Sequence, residues 1–442
     1  QGQTLIRVQR LIARAKSGDE SSAVWSQVEV SPGRGRRYPS ERMRVEVDRT
    51  TLPTPLRKDD PLSVTLEAVG VHTIGGLRRV WSEDIEQRQF GDEDLGGYRP
   101  GDLTGSWGVE QSMERHLRGL RGRVQMRRDN GAESRIEPRS GHDVILSLDA
   151  RLQARVEALM DPRLGLTVRQ PWHRYVKGRD GEELNAAAIV MSVDRAQVLA
   201  AVSVPGFTRD QLRNDANYFR DPLRQPFIHR PVAAAYPPGS TVKPLVLAAA
   251  VTAGKLGRHE IINCRGHFFE NRPDILRDWI FKRYGVPFGR IDGIRALTVS
   301  SNVFFNHLGD RLGTDGLSDW YRRFGLGRRP NCGLKEAIGG MIAGRTYSDA
   351  LFLAMGQGPI AITPLQLAAS HAAIARGGQW AEPTFMISPE PAPLSRNRRP
   401  LDLSRPAVDM ALKGMHGVVH DREHGTAVTI GIPDVGKEDI FN

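Results

Sequence analysis

Tyr236-Pro237-Pro238-Gly239-Ser240-Thr241-Val242-Lys243-Pro244 leads into a run, Thr241 to Val251, that is apolar on nearly every side. Two prolines and a glycine punctuate the chain as a turn does, and an apolar run with no polar face belongs to a helix surrounded by protein. The turn therefore delivers Ser240 to the first turn of a buried helix, and Lys243, three residues on, shares its face. A bare Ser-x-x-Lys spacing carries almost no information, because nine lysines among many serines produce it by chance. The setting gives it content. A serine hydroxyl is a poor nucleophile until a base takes its proton, and lysine can serve only where desolvation or hydroxyl neighbours hold it neutral, far below its usual ~10.4. A buried helix start supplies that environment, and its N–H groups favour a developing oxyanion. The bland alternative is a capping serine beside a snorkelling lysine.

Working outward, Ser300-Ser301-Asn302 is followed by Val303-Phe304-Phe305; a polar triplet of this kind usually caps a helix. Upstream, Ala187 to Asp194 and Val198 to Val204 are near-continuous apolar runs that predict a buried hairpin, ended by Pro205-Gly206. Asp143 to Leu148 reads as a strand, and Asp149 as the cap of a helix with Leu152, Val156 and Leu159 on one face. The first 140 residues are polar and Arg-rich; Met43 to Val47 and Leu62 to Leu66 alternate as half-buried strands do.

Composition bounds the function. The 442 residues carry 62 Lys+Arg against 51 Asp+Glu, a net +11, with 39% hydrophobic residues, enough for two or three domains with real cores. Two cysteines, Cys264 and Cys332, exclude a disulfide framework and a Cys-rich zinc module, and leave one bridge or two free thiols open. No apolar run reaches the ~18 residues of a membrane span, and no apolar stretch follows the first basic residues as in a signal peptide. The expectation is either a cytosolic protein or an anchor upstream of Gln1. The arginines are spread along the whole chain. Their densest group, Arg34, Arg36, Arg37, Arg42 and Arg44, lacks the interleaved aromatics of a nucleic-acid platform. No nucleic-acid partner is expected; a basic face toward an anionic surface fits better.

The segment around Ser240 and Lys243 resembles the active-serine motif of penicillin-recognising transpeptidases. Ser300-Ser301-Asn302 is similar in order and spacing to that family's second motif. Gly356-Gln357-Gly358 with Thr363-Pro364-Leu365-Gln366 resembles its Gly-Gln-Gly segment and the helix after it. Leu276-Arg277-Asp278-Trp279 resembles the elongation-type class B penicillin-binding proteins in particular, and Gly105-Ser106-Trp107-Gly108-Val109-Glu110 through Leu117-Arg118-Gly119 and Gly122 their pedestal signature. The resemblance runs from about residue 90 to 437, and Gln1 to Lys16 looks like the segment that follows an anchor helix.

The resemblance implies an α/β (α+β) transpeptidase fold over residues 141–442, with an antiparallel sheet between helical layers, preceded by an extended mixed pedestal over 1–140. It implies Ser240 as nucleophile, Lys243 as its base, Ser300 as proton shuttle and Asn302 as holder of the substrate amide, with Lys437, Gly356, Gln357 and Gly358 binding substrate. It implies no cofactor and no metal. The implied reaction is acyl transfer from the penultimate D-Ala of a peptidoglycan stem peptide, with β-lactams acylating the same serine. The implied setting is the periplasmic face of a bacterial inner membrane, beside a polytopic glycan polymerase, with a membrane anchor upstream.

One motif departs from the family. Gly425-Thr426-Ala427 is present and Val435-Gly436-Lys437 arrives in register, but Glu438 follows where a Thr or Ser belongs, and no Gly comes after it. Glu438 would repel an anionic substrate, so a truncated or degenerate C-terminus is expected. The alternatives this raises are a catalytically incomplete scaffold that activates the polymerase and a β-lactam sensor or hydrolase. Three other patterns read as ordinary chemistry: His420-Asp421-Arg422-Glu423-His424 as surface residues, His259-Glu260 as an incomplete metalloprotease motif, and Cys264 with His267 and Asp278 as a buried thiol beside a surface histidine.

Overall fold

The computed structural model describes residues 6–8, 25–30, 36–38, 41–52, 57–86, 94–127, 130–161, 185–334, 344–389 and 398–428. In the N-terminal part the alternating segments form strands as expected, and they pair with each other: Arg42–Val47 lies antiparallel to Leu62–Glu67, with Val45 opposite Val64. Strands Ile6–Val8, Trp25–Val30, Gly122–Arg127 and Glu133–Ile136 form a separate antiparallel sheet in that order. The glycine-rich signature closes tightly around a third pair, Gly76–Arg79 with Leu103–Trp107. A Cβ on Gly105 would lie 2.0 Å from the Glu110 carbonyl oxygen, so only glycine permits that approach. Here the arginines serve structure: Arg36 donates to the buried Glu110 (2.8 Å) and Glu114 (3.0 Å), and Tyr38 Oη donates to Glu110 (3.0 Å).

The helix expected after Asp149 is present at Ala150–Met160, and the Asp149 carboxylate accepts from the N–H groups of Arg151 and Leu152. Its buried face only partly matches the expected one, with Leu159 packed against the core. Gln153, Ala154 and Ala158 are buried, whereas Leu152, Val156 and Leu159 are half-buried. The alanines let the helix lie close against Val45, Val47, Leu52 and Val69 of the N-terminal part. The Gln153 amide closes the free edge of strand Val198–Val204, with Ala201 N donating to Oε1 (2.8 Å) and Nε2 donating to Ala201 O (3.1 Å). Edge closure by a side-chain amide leaves no trace in apolar periodicity. The preceding strand is also shorter than expected: Ile145–Leu146 pairs with Met386–Ser388.

The predicted hairpin forms from Ala186–Met191 and Val198–Val204, antiparallel from Ala186 opposite Val204 to Met191 opposite Val198. Helix Ala150–Met160 packs along its second strand and Pro364–Ala375 against its first, giving the antiparallel sheet with helical cover expected of the α/β reading. The main core surrounds helix Lys243–Thr252, buried at every position from Lys243 to Ala250. Helices Gly293–Thr298, Asn302–Arg323 (broken at Gly313) and Arg405–His420 pack around it. At roughly 1.5–3 kcal/mol per buried aliphatic side chain, the side chains of Leu245, Val246 and Leu247 alone anchor this helix firmly. Cys264 and Cys332 are both buried, and neither forms a disulfide.

Candidate active site

Gly239–Val242 forms one 3-10 turn that runs directly into the Lys243–Thr252 helix, so Ser240 sits one turn ahead of the α-helix proper. Pro244 lies where a helix has no partner for a backbone N–H, so its missing donor costs nothing. Ser240 is left exposed. Gly239 has φ +58°, and its N–H donates to Gly356 O at 2.9 Å. Gly356 itself has φ +70°, and a Cβ there would fall 2.0 Å from Gly239 O. The two glycine turns thus touch backbone to backbone, bringing Gln357 and Gly358 beside Ser240 across a cleft of about 730 Å³.

Lys243 is fully buried, and each of its three N–H bonds has an acceptor: Ser300 O at 2.9 Å, Ser300 Oγ at 3.0 Å and Asn302 Oδ1 at 2.9 Å. The Phe305 ring lies 5.3 Å from the nitrogen. Burial pushes the amine down from 10.5 to about 7, against an opposing pull from the Asp278 carboxylate. A group so placed exchanges protons near neutrality, as a general base must. Among the described residues no hydrogen bond joins Lys243 to Ser240.

The second motif owes its shape to local chemistry. Ser301 caps helix Asn302–Arg323, its Oγ accepting from Phe304 N (3.1 Å), while Ser300 is forced to φ +53°, a left-handed conformation uncommon outside glycine. That turn aims the Ser300 hydroxyl at Lys243. Asn302 is engaged at both ends: Oδ1 accepts from Lys243 and Nδ2 donates to Arg277 O at 3.2 Å. Its side chain therefore braces the site internally as well as lining the cleft. The cleft is also lined by apolar Ile275, Leu351, Phe352 and Met355, and Arg277 and Lys282 add positive charge.

Of the residues singled out in the sequence, Ser240, Lys243, Ser300, Asn302, Gly356, Gln357 and Gly358 come together, and Lys437 lies outside the described residues. Asp278 turns out to be fully buried, close behind the second motif. Apolar patterning has no way to flag such a carboxylate, and the tetrapeptide around it carried only a likeness. His267 is half-buried rather than superficial, its Nδ1 2.9 Å from Phe269 O. His420 ends its helix with its ring tilted against that of His416 at 4.3 Å, while His424 lies in the following turn, so the two imidazoles of that pattern do not share a helical face. Among the described residues no three His, Cys, Asp or Glu side chains are grouped to hold a metal ion, and no helix is long and apolar enough to cross a membrane.

Residues 186–437 match the penicillin binding protein transpeptidase domain family, and residues 53–146 match the penicillin-binding protein dimerisation domain. The chain is 26% identical over 391 residues to the peptidoglycan D,D-transpeptidase MrdA of Escherichia coli K12, an alignment covering 80% of this chain and 56% of that one. It is 28% identical over 340 residues to peptidoglycan D,D-transpeptidase FtsI of the same organism, covering 73% of this chain and 52% of that one. The chain thus spans about half the length of these relatives. Among solved structures, Pseudomonas aeruginosa PBP2 in complex with WCK 5153 superposes with a TM-score of 0.66 at 25% identity, covering 84% of this chain and 77% of that one. Helicobacter pylori PBP2, solved in complex with MreC, shares the fold at a TM-score of 0.64 and 24% identity, over 83% of this chain and 66% of that one.

Proposed function

Because the chain belongs to the penicillin binding protein transpeptidase family, in its class B, elongation-type branch, we propose that it is a peptidoglycan D,D-transpeptidase working through an acyl-Ser240 intermediate. The observation that carries this reading is the Lys243 amine: fully buried, brought near neutrality, and bonded to the Ser300 hydroxyl in the cleft that exposes Ser240. Burying a lysine costs stability. A scaffold that performed no chemistry would have no use for that expense, and the intact Ser240–Lys243–Ser300 arrangement disfavours the catalytically incomplete alternative.

In the proposed reaction the Ser240 hydroxyl adds to the carbonyl of the penultimate D-Ala of a stem peptide, and its proton passes to the neutral Lys243 amine. A neutral amine has two N–H bonds and one lone pair, so one of the three present donor contacts is given up and the lone pair turns to the Ser240 hydroxyl, while the Ser300 hydroxyl, which both donates and accepts, stays within reach for the later relay. The proton then travels through Lys243 and Ser300 to the departing D-Ala nitrogen. An amine from a second stem peptide releases the acyl group and completes the cross-link, while a β-lactam would leave the serine acylated. Gly356, Gln357, Gly358 and Lys437 are assigned to substrate binding, and residues 1–140 and 141–442 to pedestal and transpeptidase domains. The setting is the periplasmic face of a bacterial inner membrane, with an anchor and a polytopic glycan polymerase as neighbours.

The test is intact-mass measurement after exposure to a labelled penicillin, comparing the chain with Ser240→Ala. A stable one-to-one adduct abolished by the substitution is expected. No adduct, or turnover to free penicilloate within seconds, overturns the assignment.

A further inference from the structure

Behind the second motif lies a carboxylate that the reaction just described does not use. Asp278 is fully buried at the start of helix Trp279–Tyr284. Its Oδ1 accepts from Ser301 Oγ and from Val303 N, each at 3.0 Å. Ser301 Oγ also lies 3.7 Å from the buried Cys264 thiol. The second oxygen, Oδ2, is buried with no hydrogen-bond partner among the described residues. An unpartnered buried oxygen on a carboxylate typically costs ~1–3 kcal/mol, so a neutral side chain would be the cheaper way to cap this turn. Burial raises this carboxyl, and its hydrogen bonds from Val303 N and Ser301 Oγ, with the charge of Lys243, oppose the rise; negative charge at this point needs a reason, and the buried amine bonded to the same turn supplies one.

We propose that Asp278 is a positioning residue of the reaction: it holds the Ser300-Ser301-Asn302 turn in its strained shape through Ser301 and Val303, and places a carboxylate on the side of that turn away from the contacts Ser300 and Asn302 make with Lys243. The proposal rests on the transpeptidase reading for its link to catalysis. The groups around Lys243 make the assignment specific. The 300–302 turn presents neutral acceptors, helix Asn302–Arg323 presents the Phe305 ring, and the segment before helix Trp279–Tyr284 presents Asp278, the charged group that acts on the amine among the described residues. Strand Ile262–Cys264 contributes only Cys264, whose thiol burial pushes up to about 12 and which stays neutral. Burial and Asp278 pull Lys243 in opposite directions, burial being the larger. Without the carboxylate charge the amine would lose its proton at still lower pH and become a weaker base. Asp278 thus tunes the amine, and by bracing Ser301 it keeps Ser300 at φ +53°, where the hydroxyl reaches Lys243.

Asp278→Asn retains the Oδ1 acceptor and removes the charge. Two readouts follow, one independent of activity. In a 15N NMR titration of the Lys243 amine, identified by its loss in Lys243→Met, the midpoint of Asp278→Asn is expected to fall by about one unit. In penicillin acylation of Ser240, the ratio of the rate at pH 6 to that at pH 8 is expected to rise about fivefold for that shift, with a lower plateau. A purely structural Asp278 would lower the rate at all pH values alike, so titration and pH profile superimposable on the parent's overturn the proposal. Should Asp278→Asn not fold, Ser301→Ala decides the positioning half: an acylation loss of about fivefold or more upholds it, and less than about twofold overturns it. A parent chain that is not acylated at all defeats the transpeptidase reading, while the NMR titration still decides on Asp278.

Discussion

Two regions of this molecule bury ionisable side chains, and they use burial in opposite ways. One is the joint where helix Ala150–Met160 and the start of helix Arg230–Ala233 meet the N-terminal part; the other is the cleft around Lys243. At the joint, Glu157 Oε1 accepts from Gly70 N (2.9 Å) and Gln153 Nε2 (2.8 Å), and burial pushes its carboxyl up to about 7. His72 and His229 stack at 5.8 Å beside the Phe207 ring, and burial pushes them down to about 4 and about 3. His72 Nε2 donates to Pro226 O at 2.7 Å, which fixes its neutral tautomer. Desolvation keeps these imidazoles uncharged as packing and hydrogen-bonding units. In the cleft the same desolvation acts on Lys243, but there the buried nitrogen is aimed at a hydroxyl and the cavity opens on an exposed serine. A displaced pKa therefore marks a functional group only where its partners and its access are those of a reaction.

The largest effect that would break this contrast is at Lys243. Lys243→Met keeps the length of the side chain and removes its proton chemistry, so Ser240 acylation should fall by ~10²–10⁴. Its melting temperature should fall, because Ser300 O, Ser300 Oγ and Asn302 Oδ1 lose their donor and the buried Asp278 loses the charge it acts on. Acylation within tenfold of the parent would mean that the cleft lysine is as passive as the joint histidines.

Next is the contact that builds the cleft. Gly356→Ala places a Cβ 2.0 Å from Gly239 O at a φ of +70°, so the two turns must separate. Urea unfolding should show a loss of ~2–3 kcal/mol, and acylation should weaken as Gln357 moves away from Ser240. A variant with unchanged unfolding would show that the two turns can part freely.

The smallest effect belongs to the joint. Glu157 has a folded pKa of about 7, above its ordinary 4.5. Unfolded chains ionise first, so the stability this carboxyl permits is complete below pH 4.5 and is lost as pH rises through 7. Glu157→Gln keeps an oxygen for Gly70 N and removes the titration. It should therefore be more stable than the parent by ~1–2 kcal/mol at pH 8 and nearly equal at pH 4.5, measured by denaturant unfolding at both. Equal stability at pH 8 would show that the joint tolerates a charge there.

Much of this was legible in the residues. Apolar runs and alternation located the hairpin at 186–204, the two strands within 42–67 and the buried helix after Ser240, because burial on one face or all round writes a period into the sequence. The helix at 150–160 has the expected cap and Leu159 packs on the core, but its fully buried contacts are made by two alanines and a glutamine rather than by Leu152 and Val156. At the site, Ser240, Lys243, Ser300 and Asn302 were legible as motifs. The role of Asp278 was not, because an aspartate before a tryptophan looks the same whether it ends in water or buried behind the second motif.

By itself the sequence determined which side chains are present, that Ser240 and Lys243 share a helix start, and that this start is apolar enough to be buried; all follow from spacing within one or two helical turns. Only the tertiary structure decided what faces that pair. The Gly239–Gly356 backbone contact, the left-handed Ser300 and the charge behind Lys243 join residues far apart along the chain. Such contacts form only when separate elements close on one core, and desolvation, which brings the amine near neutrality, exists only once that core has closed.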